Sequence, residues 1–266
     1  MIALAVAGAA GRMGRAILSA ALKDPAFQIT GALEQGSHPD IGKEAGPLLG
    51  LELSGVRISS DSSAVLKKAQ VLIDFTHPSA IAGHLSAAVE AKAGYVLGTT
   101  GFDASAIEML EKASQSIAIV QSPNMSIGVN LLFKLAELTG KILDESYDIE
   151  ISEIHHRMKK DSPSGTAAKL LEILAAARKK NLKKDVVFGR EGNVGARPKG
   201  EIGVFALRGG DVVGDHTVSF LGDGERVELV HKASSRDAFA LGALRAAKFV
   251  ASRKQGLYTM QHVLGM

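Results

Sequence analysis

The chain of 266 residues has no cysteine, no tryptophan and only three tyrosines. Without cysteine there are no disulfides, thiolate metal sites, iron–sulfur clusters or cysteine nucleophile, and a reducing compartment, the cytoplasm, is the expected location. The shortage of aromatics leaves few platforms for stacking single-stranded bases. An excess of one charge is missing too: 31 basic residues stand against 28 acidic ones, a net +3, and they are dispersed along the chain. No nucleic-acid partner is expected from that pattern. No run approaches the roughly 18 apolar residues of a membrane span, so no membrane partner is expected either. The opening "MIALAVAGAAG" has no basic region before it and runs straight into a glycine motif, so it reads as a buried strand and not as a signal peptide.

What is present is a packable chain, 46% hydrophobic, with no internal repeat or low-complexity segment. Its first half alternates apolar β-rich runs ("IALAVAG", "FQITGALE", "VLIDFT", "YVLGTT", "IAIVQSP") with helical patterns ("RMGRAILSAALK", "SAIAGHLSAAVEAK", "ASAIEMLEKASQ"). That rhythm predicts βαβ units in a Rossmann-type, doubly wound parallel sheet covered on both faces. From Tyr147 the pattern changes to period two, with Tyr147, Ile149 and Ile151 on one face and Asp148, Glu150 and Ser152 on the other. After one more helix come "IGVFALR", "VVGDHTVSFLG" and "ERVELVHKA", separated by turn signals. These predict a second α+β domain with a mixed or antiparallel sheet. Periodicity alone does not say which domain the last helix, "RDAFALGALRAAKFVASRK", completes. The glycine-rich segment "GREGNVGARPKGEIG" is long enough to be mobile, and reads as a surface connection or as a lid or oligomer contact.

Two stretches carry chemistry. "VAGAAGRMG" ends the first strand and opens the first helix, with Gly8, Gly11 and Gly14 spaced G-x-x-G-x-x-G and Glu34 closing the second strand about 20 residues on. Glycines there permit a tight turn, a pyrophosphate rests on the helix amides, and the carboxylate accepts hydrogen bonds from an adenosine ribose. Glu34 repels a 2′-phosphate and Gln35 offers no charge to attract one, so NADH is favoured, with NADPH left open through Arg12. The second stretch is "EIHHRMKKDSPSGTA". His155 and His156 point to opposite faces of a strand, and no H-x-x-x-H or H-E-x-x-H pattern exists, so no metal is expected. The cations His155, His156, Arg157, Lys159 and Lys160 form either a solvated edge or an anion site. A helix capped by Ser162 or Ser164 follows, so its first amides, with Gly165 and Thr166, could hold one carboxylate while His156 and Lys159 hold another.

Together "GAAGRMG", "GTTG", "SPNMSIGVN", "EIHHRMKKDSPSGTA" and "HKASSRDAFALGALRAAKFV" resemble the 4-hydroxy-tetrahydrodipicolinate reductases, also called dihydrodipicolinate reductases, over essentially the whole chain. The resemblance implies reduction of that cyclic dicarboxylate, with loss of water, to tetrahydrodipicolinate in the diaminopimelate and lysine pathway. It implies that His155 is a proton donor or acceptor and Lys159 a second donor. His156 and the turn Ser164, Gly165 and Thr166 would bind substrate. The cofactor contacts implied are Gly8, Ala9, Ala10, Gly11, Arg12, Met13, Gly14, Glu34, Gly98, Thr99, Thr100, Ser122, Pro123, Asn124 and Met125, with Thr100 also facing substrate. Residues 1–126 plus 236–266 would form the dinucleotide domain and 127–235 a substrate and oligomerisation domain, assembled as a homotetramer. Many members carry arginine where this chain has Gln35, which weakens the case for NADPH. Two rival readings are an amino-acid or semialdehyde dehydrogenase of similar build, and a nucleotide-sensing protein without turnover.

Overall fold

The computed structural model describes residues 1–266. In chain order they form β1 (Ile2–Ala7), α1 (Arg12–Leu22), β2 (Phe27–Leu33), α2 (Ala45–Leu49), β3 (Ile58–Ser59), α3 (Ser62–Leu66), β4 (Val71–Asp74), α4 (Ile81–Ala91), β5 (Gly94–Leu97), α5 (Ala104–Ala113) and β6 (Ala118–Gln121). There follow α6 (Ile127–Ile142), β7 (Asp148–His155), α7 (Gly165–Ala177), β8 (Val186–Val187), β9 (Ile202–Arg208), β10 (Gly214–Gly222), β11 (Glu225–Ala233), α8 (Asp237–Ala251), β12 (Gly256–Tyr258) and α9 (Met260–Leu264). The chain divides into two compact units, one of Met1–Ile127 with Arg236–Met266, the other of Gly128–Ser235.

The first unit is a seven-stranded sheet in the order β12-β6-β5-β4-β1-β2-β3, every pairing parallel. Its strands are mostly apolar because both faces are covered. Leu4 and Val6 of β1 pack on one side with α1 and α8, while Ala5 and Ala7 pack on the other with α4 and α5. β1 lies between β2 and β4, so the connections leave it in opposite directions and a crevice opens at the carboxyl ends of the strands. The returning helix α8 belongs to this unit, and a Cβ on its Gly242 would lie 1.8 Å from the Met125 carbonyl oxygen. β3 and β12 are too short to show a period, so no sequence pattern announces either.

In the second unit the sheet order is β11-β10-β7-β9-β8. It is mixed: β10 runs antiparallel to β7 and β11, whereas β7, β9 and β8 are parallel. α6 and α7 cover one face, packing Phe133, Leu170 and Leu174 against Ile149, Ile151, Val218 and Phe220. Along β7 the inward row is Ile149, Ile151, Glu153 and His155. The same alternation that buries two isoleucines therefore buries an acid and a histidine. On the outward row, Glu150 receives Arg190 (2.9 Å) and Arg197 (2.8 Å), which pin the glycine-rich segment before β9. No helix is long and apolar enough to cross a membrane.

Candidate active site

In the first unit the glycine turn has the shape of a phosphate cradle. Gly8 sits at φ +73°, a conformation that strains any side chain, and accepts a 3.0 Å hydrogen bond from the Gly11 amide. A Cβ on Gly14 would lie 2.1 Å from the Gly8 oxygen, so α1 can start directly on the turn only with glycine there. Gly11 caps α1 without a side chain, leaving the amides of Arg12 and Met13 at the front of the helix. Glu34 is tied into this turn, its Oε1 accepting from the Ala10 amide at 2.8 Å. With Gln35, Ser60, Thr76 and His77 it lines a cavity of about 380 Å³ that also opens on Gly8 and Gly11. This cradle, closed to a Cβ at Gly14 and strained for one at Gly8, fits a dinucleotide.

The remaining expected cofactor contacts differ in what they can offer. Gly98 passes close under Phe75, whose ring a Cβ would meet at 2.4 Å, and its amide donates to Asp74 O at 2.9 Å. Thr99 is buried and donates to Thr76 O, while Thr100 is exposed. Ser122 donates its hydroxyl to Asn124 O, and the Asn124 side chain accepts from the Ser126 amide, so this loop is folded on itself with Pro123 exposed. Ala9 and Met125 are core residues, which leaves only their backbone for a ligand.

Sequence reasoning missed the support beneath the cradle. Asp74, fully buried, accepts from Thr76 N (2.9 Å), Thr76 Oγ1 (2.6 Å), His84 Nδ1 (2.7 Å) and Tyr95 OH (2.7 Å). Burial alone would raise its pKa, but the bonds from His84, Thr76 and Tyr95 hold it below the usual carboxylate range. Burial and the Asp74 charge push the Tyr95 hydroxyl well above its ordinary value. The cluster fixes the turn Phe75–His77, and a Cβ on Gly8 would come within 3.3 Å of Phe75 O. Arg236, also missed, is pulled below its ordinary value by burial and then by neighbouring Arg12, a pair of like charges that an anion would relieve.

The cationic stretch lies wholly in the second unit and is anchored on Glu153. This fully buried carboxylate receives Arg208 on both oxygens (Nη1 to Oε2 2.9 Å, Nη2 to Oε1 3.0 Å), the Ser164 amide (2.9 Å) and His155 Nδ1. Burial opposes its ionisation, yet Arg208, His155 and Ser164 together hold its pKa below normal. For His155, burial dominates and lowers the pKa, against the raising effect of Glu153, and Lys159 adds to the lowering. The ring meets His216 edge-on, centroids 5.2 Å apart.

Ser164 is the helix cap, and Ser162 is not: Ser164 Oγ accepts from Ala167 N at 3.2 Å and pairs with His216 Nε2 at 3.2 Å. Its amide and hydroxyl thus face inward, and the first turn presents exposed Gly165 and half-buried Thr166 to the outside. His156 is half-buried, its amide bonded to Val212 O at 2.8 Å. Lys159 Nζ pairs with Asp161 at 2.9 Å, and Arg208 reaches from Glu153 to Asp161 O at 2.7 Å, tying the loop to the anchor. No three histidine or acidic groups are placed to hold a metal. The structure brings His155 and Lys159 within electrostatic reach, with the start of α7 joined to them through Glu153. One signal for Glu153 was available, since it shares the parity of Ile149, Ile151 and His155. Arg208 and His216 carried no local signal.

Comparison with known proteins shows the family. The family model "Dihydrodipicolinate reductase, N-terminus" matches residues 2–125 and "Dihydrodipicolinate reductase, C-terminus" matches 128–264. A 4-hydroxy-tetrahydrodipicolinate reductase of Polynucleobacter necessarius is 50% identical over 99% of this chain and 98% of its own. That of Nitrosomonas europaea is 49% identical with the same coverage. Among solved structures, the dipicolinate-bound dihydrodipicolinate reductase from Paenisporosarcina sp. TG-14 aligns with a TM-score of 0.77 at 26% identity, over 98% of this chain and 99% of that one. An aspartate semialdehyde dehydrogenase II from Vibrio cholerae shares only the fold, with a TM-score of 0.55 at 13% identity over 93% and 97% of the two chains. The chain belongs to the dihydrodipicolinate reductase family.

Proposed function

We propose that this oxidoreductase reduces 4-hydroxy-tetrahydrodipicolinate to tetrahydrodipicolinate, with loss of water, in diaminopimelate and lysine biosynthesis. The observation that carries the reading is the Glu153-anchored arrangement of His155, Lys159 and the α7 N-terminus, which suits a ring with two carboxylates. A nicotinamide cofactor supplies the hydride when bound in the first unit. Gly165 and Thr166 would hold one carboxylate at the helix start, and His156 the ring's other polar edge. The reduced ring needs one proton, which His155 or Lys159 would deliver, and their cationic surroundings stabilise negative charge developing on the ring.

Glu34, fixed by the Ala10 amide and followed by uncharged Gln35, supports NADH over NADPH. Exposed Leu221 and Val230, on the face of β10 and β11 away from the helices, support burial of that sheet face against further copies in a homotetramer. The nicotinamide pool it would draw on is cytoplasmic. The test is cofactor oxidation by the purified protein while the substrate is generated from pyruvate and aspartate semialdehyde by the preceding synthase. Synthase-dependent oxidation, inhibited by pyridine-2,6-dicarboxylate and faster with NADH than with NADPH, is expected. Oxidation without the synthase would instead indicate a semialdehyde dehydrogenase.

A further inference from the structure

Glu153 is a full carboxylate enclosed in the inner row of β7, where the two preceding inward residues are isoleucines. An acid in such a place costs stability unless every lone pair is used, and here each oxygen has two donors. Oε1 takes Ser164 N and Arg208 Nη2, and Oε2 takes Arg208 Nη1 and His155 Nδ1. Arg208 comes from β9, beside β7 and in register with it, with Arg208 opposite His155. The carboxylate is thereby held on three sides, and the only ring it touches is His155. On the far side of that ring lies Gly214 of β10, where an added Cβ would come within 2.9 Å of His155 Nε2. Gly214 has no positive φ, so a turn conformation does not require glycine there. What its missing side chain permits is close packing of the His155 ring against β10, with Nε2 standing where a Cβ would collide.

We propose that Glu153, braced by Arg208, is a positioning residue that fixes His155 through Nδ1 in the place that glycine at 214 leaves for the ring, so that Nε2 is the atom through which the ring exchanges its proton with substrate. The inference rests on the reductase reading and names the device that orients its acid. With Nδ1–H given to a carboxylate, the neutral ring has a single tautomer, and Nε2 alone is left to gain and lose a proton. The charged groups around this ring are Glu153 on its own strand, Arg208 on β9, Lys159 on the loop, and His216 on β10, itself opposite His231 of β11. Glu153 is the only one of these whose charge favours the protonated ring. Its removal therefore shifts the titration of His155 downward, which a packing role would not do.

The experiment compares wild type, Glu153→Gln and Gly214→Ala in the synthase-coupled assay across pH, with NMR titration of the His155 ring. Glu153→Gln keeps shape and loses charge. We expect kcat to fall by roughly 10- to 100-fold at neutral pH, partial recovery at lower pH, a lower His155 titration midpoint, and a substrate KM within about twofold. Gly214→Ala approaches the same ring without touching buried charge, so it tests the idea even if Glu153→Gln does not fold. It should lower kcat by a similar factor while leaving NADH affinity unchanged. An unmoved His155 titration in Glu153→Gln, or full activity in Gly214→Ala, would overturn the proposal. Absence of turnover in wild type would overturn the reductase reading instead, and the NMR titration would still report whether Glu153 sets the state of His155.

Discussion

His155 and Lys159 are held in contrasting ways, and under the proposed function the contrast suits them to different duties. His155 is buried on a strand with its Nδ1 committed to Glu153, so it is rigid and its ionisation is set by the protein. Lys159 sits on the loop after β7, and its Asp161 partner is 61% exposed at the side chain. Such a pair is worth at most about 1 kcal/mol, so an incoming carboxylate or ring nitrogen can displace Asp161 at little cost. Replacing Lys159 by alanine should therefore lower kcat by about 10²- to 10⁴-fold, the usual contribution of a general acid. NADH affinity should stay within about twofold, because the Gly8 cradle lies in the first unit. Fluorescence titration of NADH alongside the coupled assay checks both halves. A parallel loss of NADH binding would show that Lys159 serves the cofactor. At this scale most of the site was legible, because glycine spacing and the histidine–lysine run are local patterns. Ser164 was read as a substrate contact, but its polar groups are spent on Glu153, Ala167 and His216. Sequence can name a cap without saying which way its hydroxyl turns.

Elements with a full period were readable and short ones were not. β1 through its 6 residues, and β7 through 8, declare burial on two faces or one by their alternation. β3, with 2 residues, and β12, with 3, are defined only by the neighbour they pair with. The glycine-rich segment before β9 looked mobile by composition, with glycines at positive φ at positions 189, 192, 195 and 200. Two arginines override that freedom. Arg197 bonds Asp148 (2.5 Å), Glu150 (2.8 Å) and the carbonyl of Ile149 (3.2 Å), and Arg190 bonds Glu150 and Glu201. Arg197→Ala should release the segment, raising amide exchange across residues 189–201 by at least tenfold. Global stability should change by no more than about 1–2 kcal/mol, since the pairs are partly exposed. Hydrogen-exchange mass spectrometry reads the first and urea unfolding the second. Unchanged exchange would mean that the backbone, and not the ion pairs, orders this segment.

At the scale of the whole molecule, the parts that escaped the sequence are those joined across distance. Glu153 meets Arg208 across 55 positions and Ser164 meets His216 across 52, through a sheet whose strand order nothing local announces. Those contacts also give the protein a pH signature. His216 is buried and uncharged, its pKa driven down to about 4 by burial first, then by His155, with His231 and Lys159 adding and Glu153 opposing. In the unfolded chain it titrates near its ordinary 6.5. Between these values the unfolded state binds a proton that the folded state refuses. Stability is thus complete above about pH 6.5 and falls by about 1.4 kcal/mol per pH unit towards pH 4. His155, also lowered, adds to the fall in that range. Asp74 and Glu153, held below the carboxylate range, shift the balance the same way only below about pH 4, as they take up protons. Urea midpoints measured from pH 8 to pH 4.5 should be flat at first and then decline. In His216→Gln, whose amide can still reach Ser164 without titrating, the decline should be shallower by up to about 1.4 kcal/mol per unit. An equally steep decline in that variant would mean that His216 accepts a proton in the folded state, and that the acid sensitivity of the second unit comes from His155 alone.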